Sequence, residues 1–436
     1  MPTDPASPVY PGGRLTWSLW AIGAAFYLLG YLHRVAPSVI AGELVADFAL
    51  SAAGLGLLSA SYFYAYLMLQ VPTGLLVDAW GPRRILAGGA LLTALGTLMF
   101  AASSGLAVLF IGRLLIGAGT SVTWVCMLKF SSHWMPPRQF SFASGLLLMA
   151  GVLGALTAGL PLRLLVEAVG WRPALGATAI AALVLAVLTW NRMRDDPSEA
   201  GYHSHWAPLG SAEGGSLGRM LDLLRETAHY RALWLLVAAG GGVLASVFTF
   251  AGLWGVPFLH THYGMPVADA ALACSLLIVL FGASSPFWGW LADRTGHAGA
   301  LYRSGTLAVA AAWTVIAAVP GLPLGLLLPL LAVAAAGAGT IVLGYTLARD
   351  RVPRRLAATA SGLVNMGSIA GPLLLQPLFG WVLDLLSAGT PTGGAPLFGR
   401  AAFHAGFVLI LGCALLAFAC LTRFNRHLSA PTLARP

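Results

Sequence analysis

The sequence predicts an all-α integral membrane protein of twelve transmembrane helices arranged as two six-helix bundles. Three observations predict it. First, only 9% of the residues are charged, 58% are hydrophobic and the mean hydropathy is +0.81. A soluble domain carries about 25% charged residues, so most of this surface must face lipid or other buried helices. Second, the chain falls into twelve apolar stretches, each near the roughly 20 residues that a helix needs to cross a bilayer. Third, the last six stretches repeat features of the first six at a nearly constant offset.

The stretches lie at about 16–41, 52–73, 85–103, 106–128, 140–167 and 173–191, then at 231–259, 267–290, 300–318, 323–346, 357–385 and 401–422. The first is too long for the apolar core of a cleavable signal peptide and is followed by another span, so it reads as a span. The longest connection, 193–230, carries Arg194, Asp195, Asp196, Glu199, Arg219, Asp222, Arg225 and Glu226. It reads as a solvated linker with a short amphipathic helix. The expected division is an N-terminal bundle (1–192), a linker (193–230) and a C-terminal bundle (231–436).

Loop charges set the expected orientation. Nineteen of the 24 basic residues fall in one set of loops, together with the linker and both ends of the chain, while the opposite set holds only Arg163, Arg172 and Arg400. The positive-inside rule places the richer set, and both termini, in the cytoplasm of a cell inner membrane. The net charge of +9 is accounted for by this topology, and no nucleic-acid partner is expected. Cys126, Cys274, Cys413 and Cys420 lie inside apolar stretches without metal-ligand spacing, so no metal or cofactor is expected. There is no G-x-x-x-x-G-K-[ST] phosphate loop for ATP-driven transport. The close His260/His262 pair has no carboxylate motif beside it, which argues against an enzyme. A monomer in lipid is expected.

The repeat is carried by two motifs. Gly74-Leu-Leu-Val-Asp78-Ala-Trp-Gly81 and Gly289-Trp-Leu-Ala-Asp293-Arg-Thr-Gly296 both read G-x-L-x-D-x-x-G. Ala143-Ser-Gly-Leu146 recurs as Ala360-Ser-Gly-Leu363, and Glu167 and Asp384 share that offset. Glycine at both ends allows a tight turn between spans. An Asp at the membrane boundary can cap a neighbouring helix or pair with Arg. Asp78, Arg83, Arg84 and Asp293 are therefore candidates for a cytoplasmic gate that latches the two halves in one state and releases them in the other.

Ionisable residues inside a span are expensive and mark function. The first span carries Tyr31-Leu-His33-Arg34. Tyr31 and Arg34, three apart, share a helix face, and His33 points about 100° away from Arg34. Arg34 is a permanent cation whose planar fork suits carboxylate or phosphate, and no acid of the first half lies deep enough to pair with it. It invites an anionic group on a solute. His33 is the near-neutral titrating group at that depth and the candidate proton carrier, with Arg34 opposing its charging. Ser59, Tyr62, Tyr66 and Gln70 form one polar stripe on the second span, suited to a wet cavity wall, with Phe63 and Tyr64 on other faces. The fourth span offers Arg113 and Trp124, and Lys129 reads as snorkelling to the cytoplasm. In the second half Trp254, Phe258, Tyr345, Asn365 and Gln376 are the cavity candidates, and Gly255 and Pro257 would break the seventh span locally.

Gly74-Leu-Leu-Val-Asp-Ala-Trp-Gly-Pro-Arg-Arg84, its partial copy at 289–296 and Arg113-Leu-Leu-Ile-Gly-Ala-Gly119 together resemble the signatures of the major facilitator superfamily over essentially the whole chain. The second copy departs from the pattern, with His297-Ala-Gly in place of a basic run. The resemblance implies alternating access by rocking of two six-helix bundles. The first two spans look most like the organic-anion and sugar-acid symporter branch. There the Tyr-x-x-Arg contacts the substrate anion and an acid usually precedes the Arg, a place that His33 takes here. Tyr62 to Arg84 also resembles bacterial amino-acid-uptake members. The expected function is import of a small carboxylate-bearing solute, an organic acid, a sugar acid or an amino acid, coupled to protons. The competing expectation is proton-coupled export of drugs or metabolites.

Overall fold

The computed structural model describes residues 9–205, 217–353, 356–386 and 398–429. Within its helices, the side chains of Asp78, Arg138 and Arg219 lie outside the described residues. Twelve helices among the described residues are long and apolar enough to cross a membrane. The first six are Gly13–Val39, Ala52–Gln70, Ala79–Ala101, Leu106–Trp134, Phe142–Val169 and Trp171–Arg192. The last six are Arg231–Tyr263, Val267–Thr295, Ala298–Ala318, Leu324–Arg349, Thr359–Leu386 and Arg400–Arg426. The third begins earlier than its apolar stretch, and the fourth runs on past Lys129 to Trp134. In both cases the helix continues into polar sequence beyond the hydrocarbon, where periodic apolarity no longer marks it. The linker contains the amphipathic helix Leu217–Ala228.

An even number of crossings puts both chain ends on one face, here called the terminal face; the opposite is the distal face. Spans 2 and 3 form one helical run, Ala52–Ala101, broken only at Gly81, whose φ of 79° is open to glycine but strained for any side chain. Pro82 then opens the third span, where its missing N–H is no loss. The Asp195 carboxylate accepts the Arg83 N–H at 2.7 Å and caps that helix start.

Small residues set the packing inside each bundle. A Cβ at Gly112 would stand 2.7 Å from the Gly96 oxygen, and one at Gly337 2.6 Å from the Gly305 oxygen. Spans 3 and 4, and likewise 9 and 10, thus touch backbone to backbone. In the fifth span, Gly151 faces Tyr27 and Tyr31, Gly154 meets the Leu28 backbone and Gly159 meets Ser275. The expected break in the seventh span is a π-turn at Phe250–Trp254. The Gln376 amide of span 11 donates to the Phe248 carbonyl at 2.9 Å, and the Trp254 indole N–H donates to the Gln376 carbonyl at 3.2 Å, lacing the break to its neighbour.

The bundles meet on the distal side. The Asp384 carboxylate, at the end of span 11, accepts the N–H groups of Ala52 and Ala53 at 2.8 and 2.7 Å, and Ser51 Oγ accepts the Gly54 N–H at 3.1 Å. The start of span 2 is therefore capped from the other bundle. Just below, Gly56 lies against the backbone of Gln376 and Pro377, and Gly380 against Ala52. Ser275 Oγ donates to the Ala155 carbonyl at 3.1 Å, joining spans 8 and 5. These hydrogen bonds and glycine approaches between the bundles lie between the distal ends and mid-depth. The distal face is the closed one.

A short distal helix, Ala41–Phe48, is tied to the 5–6 connection. Arg163 bridges Glu43 at 2.6 Å and Glu167 at 2.8 Å, and Arg172 pairs with Asp47. The bonds from Arg172 and from the Trp171 indole hold the Asp47 carboxyl below the usual carboxylate range. A carboxyl whose folded value is depressed contributes stability above its ordinary titration range and loses it as pH falls through the lowered value. Wild type should therefore melt slightly above Asp47→Asn at neutral pH, with the gap closing below about pH 4. A gap that persists in acid would show that the pair is not its source.

Candidate functional site

Span 1 carries the centre of the site. Arg34 Cζ stands 4.3 Å from the centroid of the Tyr31 ring one turn earlier, as their spacing on one face requires. Span 2 supplies three more rings: Tyr66 at 5.2 Å, Tyr62 at 5.5 Å and Phe63 at 5.7 Å. The other bundle contributes Phe248 of span 7 at 6.0 Å. The guanidinium thus sits among five aromatic rings, each attracting a cation by about 0.5–2 kcal/mol. It has no hydrogen bond to any described residue, and its Nε is buried without a partner. Gln70 follows Tyr66 one turn on along the same face of span 2. Phe63 and Phe248 are contacts that the hydroxyl stripe does not reveal. Phe63 points about 100° away from Tyr62, and which helix covers that face depends on tertiary packing.

Arg113 of span 4 is the second interior cation, and it is spoken for. Its Nη1 donates to the His33 carbonyl at 2.5 Å and its Nη2 to the Arg34 carbonyl at 3.4 Å, with Cζ 5.0 Å from the Tyr62 ring. Pro37, four residues after His33, cannot donate to the His33 carbonyl, so that oxygen is open to the guanidinium. Arg113 clamps the stretch of span 1 that presents Arg34. Tyr62, fully buried, lies between the two cations; its hydroxyl donates to the Gly30 carbonyl at 3.3 Å and accepts from Thr120 at 2.8 Å. It positions more than it lines.

Among the described residues, every acidic residue lies at a span end or in a connection, so the interior they form holds two guanidiniums and no carboxylate. An interior charge costs several kcal/mol at least, and the aromatic contacts offset part of that.

The other expected residues divide by position. Tyr345 and Asn365 face each other, hydroxyl to Oδ1 at 3.2 Å, with Tyr345 in electrostatic range of Tyr31 and Tyr66. They form the opposite, uncharged wall. Trp124 is one ring removed from the centre: it packs on Tyr27 at 5.8 Å, which packs on Tyr31 at 5.2 Å. Trp254 is fully buried, stacked on Phe379 at 5.5 Å with its N–H committed to span 11, so it belongs to the distal seam and not to the wall around Arg34. His33 turns into the first bundle, its Nε2 3.4 Å from Thr97 Oγ1. A small cavity there is lined by His33, Thr97, Phe100, Arg113 and Leu175. Lys129 donates to the Val77 carbonyl at 3.0 Å, near the terminal face.

The described gate candidates, Arg83, Arg84 and Asp293, are not joined across the bundles in this conformation. Arg83 is held by its own half of the chain: its backbone N–H by Asp195 of the linker, and its guanidinium by the Trp190 carbonyl at 2.9 Å and the Trp190 ring. Arg84 and Asp293 are exposed, and the Asp78 side chain lies outside the described residues. The physical reason is the closure of the distal face, which leaves this gate on the side where the bundles are not joined. Asp195 was legible only as a linker charge, and Asp384 only as one member of a repeat.

Comparison with known proteins agrees with this architecture. The family model described as Major Facilitator Superfamily matches residues 19–366 and 244–435. The chain is 23% identical over 422 residues to the uncharacterized transporter YybO of Bacillus subtilis (strain 168), covering 93% of this chain and 94% of that one. It is 23% identical over 382 residues to the probable sulfoacetate transporter SauU of Cupriavidus necator, covering 82% and 85%. It is 23% identical over 391 residues to the probable galactarate/D-glucarate transporter GudP of Pseudomonas putida, covering 80% and 81%. Among solved structures, a bacterial homolog of the human lysosomal transporter Spinster superposes with a TM-score of 0.76 at 18% identity, covering 97% of this chain and all of that one. Twelve membrane-spanning helices in two bundles, the signature stretches around Gly74 and Arg113, and a family match along nearly the whole chain lead to one assignment: this protein is a transporter belonging to the Major Facilitator Superfamily.

Proposed function

We propose that the protein imports a small carboxylate-bearing solute (an organic acid, a sugar acid or an amino acid) by proton-coupled alternating access. The observation that carries this reading is Arg34: a permanent cation in the membrane interior, ringed by aromatic faces, with no carboxylate and no hydrogen-bond partner. A solute anion supplies what the protein withholds. Two relatives are named for anionic solutes, sulfoacetate and galactarate or D-glucarate; each of these carries two anionic groups, so they support an anion site and leave the number of charges it takes to this chain's own residues. With the terminal face in the cytoplasm, as the loop charges require, the conformation described is inward-open. Asp78, Arg83, Arg84 and Asp293 then form the cytoplasmic gate of the outward-open state.

In this reading His33 carries the coupled proton. It shares the interior with two guanidiniums, and an anion beside Arg34 offsets one of them. Anion and proton therefore favour each other's binding, as reciprocal linkage requires. Two measurements test the proposal. In proteoliposomes, uptake of a panel of carboxylates should exceed uptake of the matching amides; equal uptake of both would remove the anion site. An inward proton gradient should accelerate wild-type uptake and leave His33→Gln unaffected; a wild type indifferent to the gradient would remove the coupling.

A further inference from the structure

We infer that the transported solute is a monoanion whose remaining groups are neutral hydrogen-bonders, and that a second carboxylate on the same skeleton is rejected. This inference rests on the anion site proposed above and narrows it.

The argument is a charge inventory of the membrane interior. Among the described basic residues, Arg34 and Arg113 are the two whose guanidiniums lie in the membrane interior, Arg34 among five rings and Arg113 fully buried. Arg113 gives both terminal nitrogens to backbone carbonyls of span 1, leaving only its buried Nε without a partner, and is 2% exposed, so it offers no fork to a solute. Lys129 is engaged with the Val77 carbonyl near the terminal face. The described spans of the C-terminal bundle hold no buried Lys or Arg: Arg231, Arg294, Arg303, Arg349, Arg400, Arg423 and Arg426 are all exposed. The wall facing Arg34 is built instead from the Tyr345 hydroxyl and the Asn365 amide, which bond each other at 3.2 Å and can open to donate to or accept from hydroxyl or amide groups. One free guanidinium satisfies one oxoanion. A second charge on the solute would be stripped of water against an uncharged wall, and a buried charge without a partner is costly. Neutral polar groups meet no such penalty there.

The test uses purified full-length protein in detergent and in proteoliposomes at pH 7. Probes are taken as pairs with one carbon skeleton, for example gluconate against glucarate and succinamate against succinate, across a panel of such skeletons. The expected result is that the tightest binder is a monocarboxylate, that its dicarboxylate partner binds about tenfold more weakly or worse, and that Arg34→Ala abolishes both. In Asn365→Arg, which places a second cation on the facing wall, the dicarboxylate should gain on its partner. A dicarboxylate that binds as well as its partner in wild type, with binding still lost in Arg34→Ala, would overturn this inference and leave the anion site standing. Anion binding that survives Arg34→Ala, or no anion binding at all, would overturn both.

Discussion

Arg34→Ala is expected to lower anion uptake by about a hundredfold or more, because the fork that receives the carboxylate is removed and the solute charge is left unpaired in a low-dielectric site. The same substitution should not destabilise the empty protein. It deletes an uncompensated interior charge, so the melting temperature without solute should stay level or rise. That opposite sign separates a binding role from a structural one. If Arg34 were a structural brace, as Arg113 is, its loss would unfold the protein and lower transport together. Arg34→Lys keeps the charge but loses the planar fork and the stacking on Tyr31, and should fall between wild type and alanine. Uptake at wild-type level in Arg34→Ala would end the assignment.

The second large effect is expected at Asp384. Its carboxylate caps the first two N–H groups of span 2 from across the bundle boundary. Charge-assisted bonds at a helix start contribute about 1–2 kcal/mol, and this one exists only while the distal face is closed. Asp384→Ala should therefore shift the equilibrium toward distal opening by roughly tenfold, the conversion of about 1.4 kcal/mol. Spin labels on the distal ends of spans 2 and 11 would report the change as growth of a longer distance. Asp384→Asn, which keeps one acceptor oxygen, should show a smaller shift. An unchanged distance distribution in Asp384→Ala would mean that the glycine contacts at Gly56 and Gly380 hold the closure without it.

The spans and the central cation were readable because both are local properties. An apolar run of the right length is a span wherever its neighbours lie, and a three-residue spacing puts Tyr31 under Arg34 in any helix. Partnership across the fold was not readable in the same way. That Arg113 would bind the carbonyls of residues 33 and 34, some eighty positions away, depends on where span 4 crosses span 1. That Trp254 would stack in the distal seam, away from Arg34, depends on the π-turn at Phe250–Trp254, which rotates the rest of span 7 relative to a regular helix. Helical periodicity separates the faces of His33 and Arg34 but does not say which face meets another helix and which meets the cavity. The gate motif was recognised as a turn with charges, yet its partner in this conformation, Asp195, sits more than a hundred residues on. In each case the missing information is the identity of the neighbouring helix.

The clustering of Arg34, Arg113 and Tyr62 also bears on how the protein is made. A translocating ribosome delivers span 1 first, with Arg34 inside its apolar run five residues from the helix end, where insertion costs up to the roughly 2.5–3.5 kcal/mol of a helix centre. The rings that receive that arginine arrive only with span 2, and the clamp on its backbone only with span 4. The first span therefore has reason to linger at the lateral exit of the insertion machinery until its successors emerge. Spans 1, 2 and 4 would then enter lipid as a group, so that a truncation after the first span should be released from the membrane far more readily than one after the fourth.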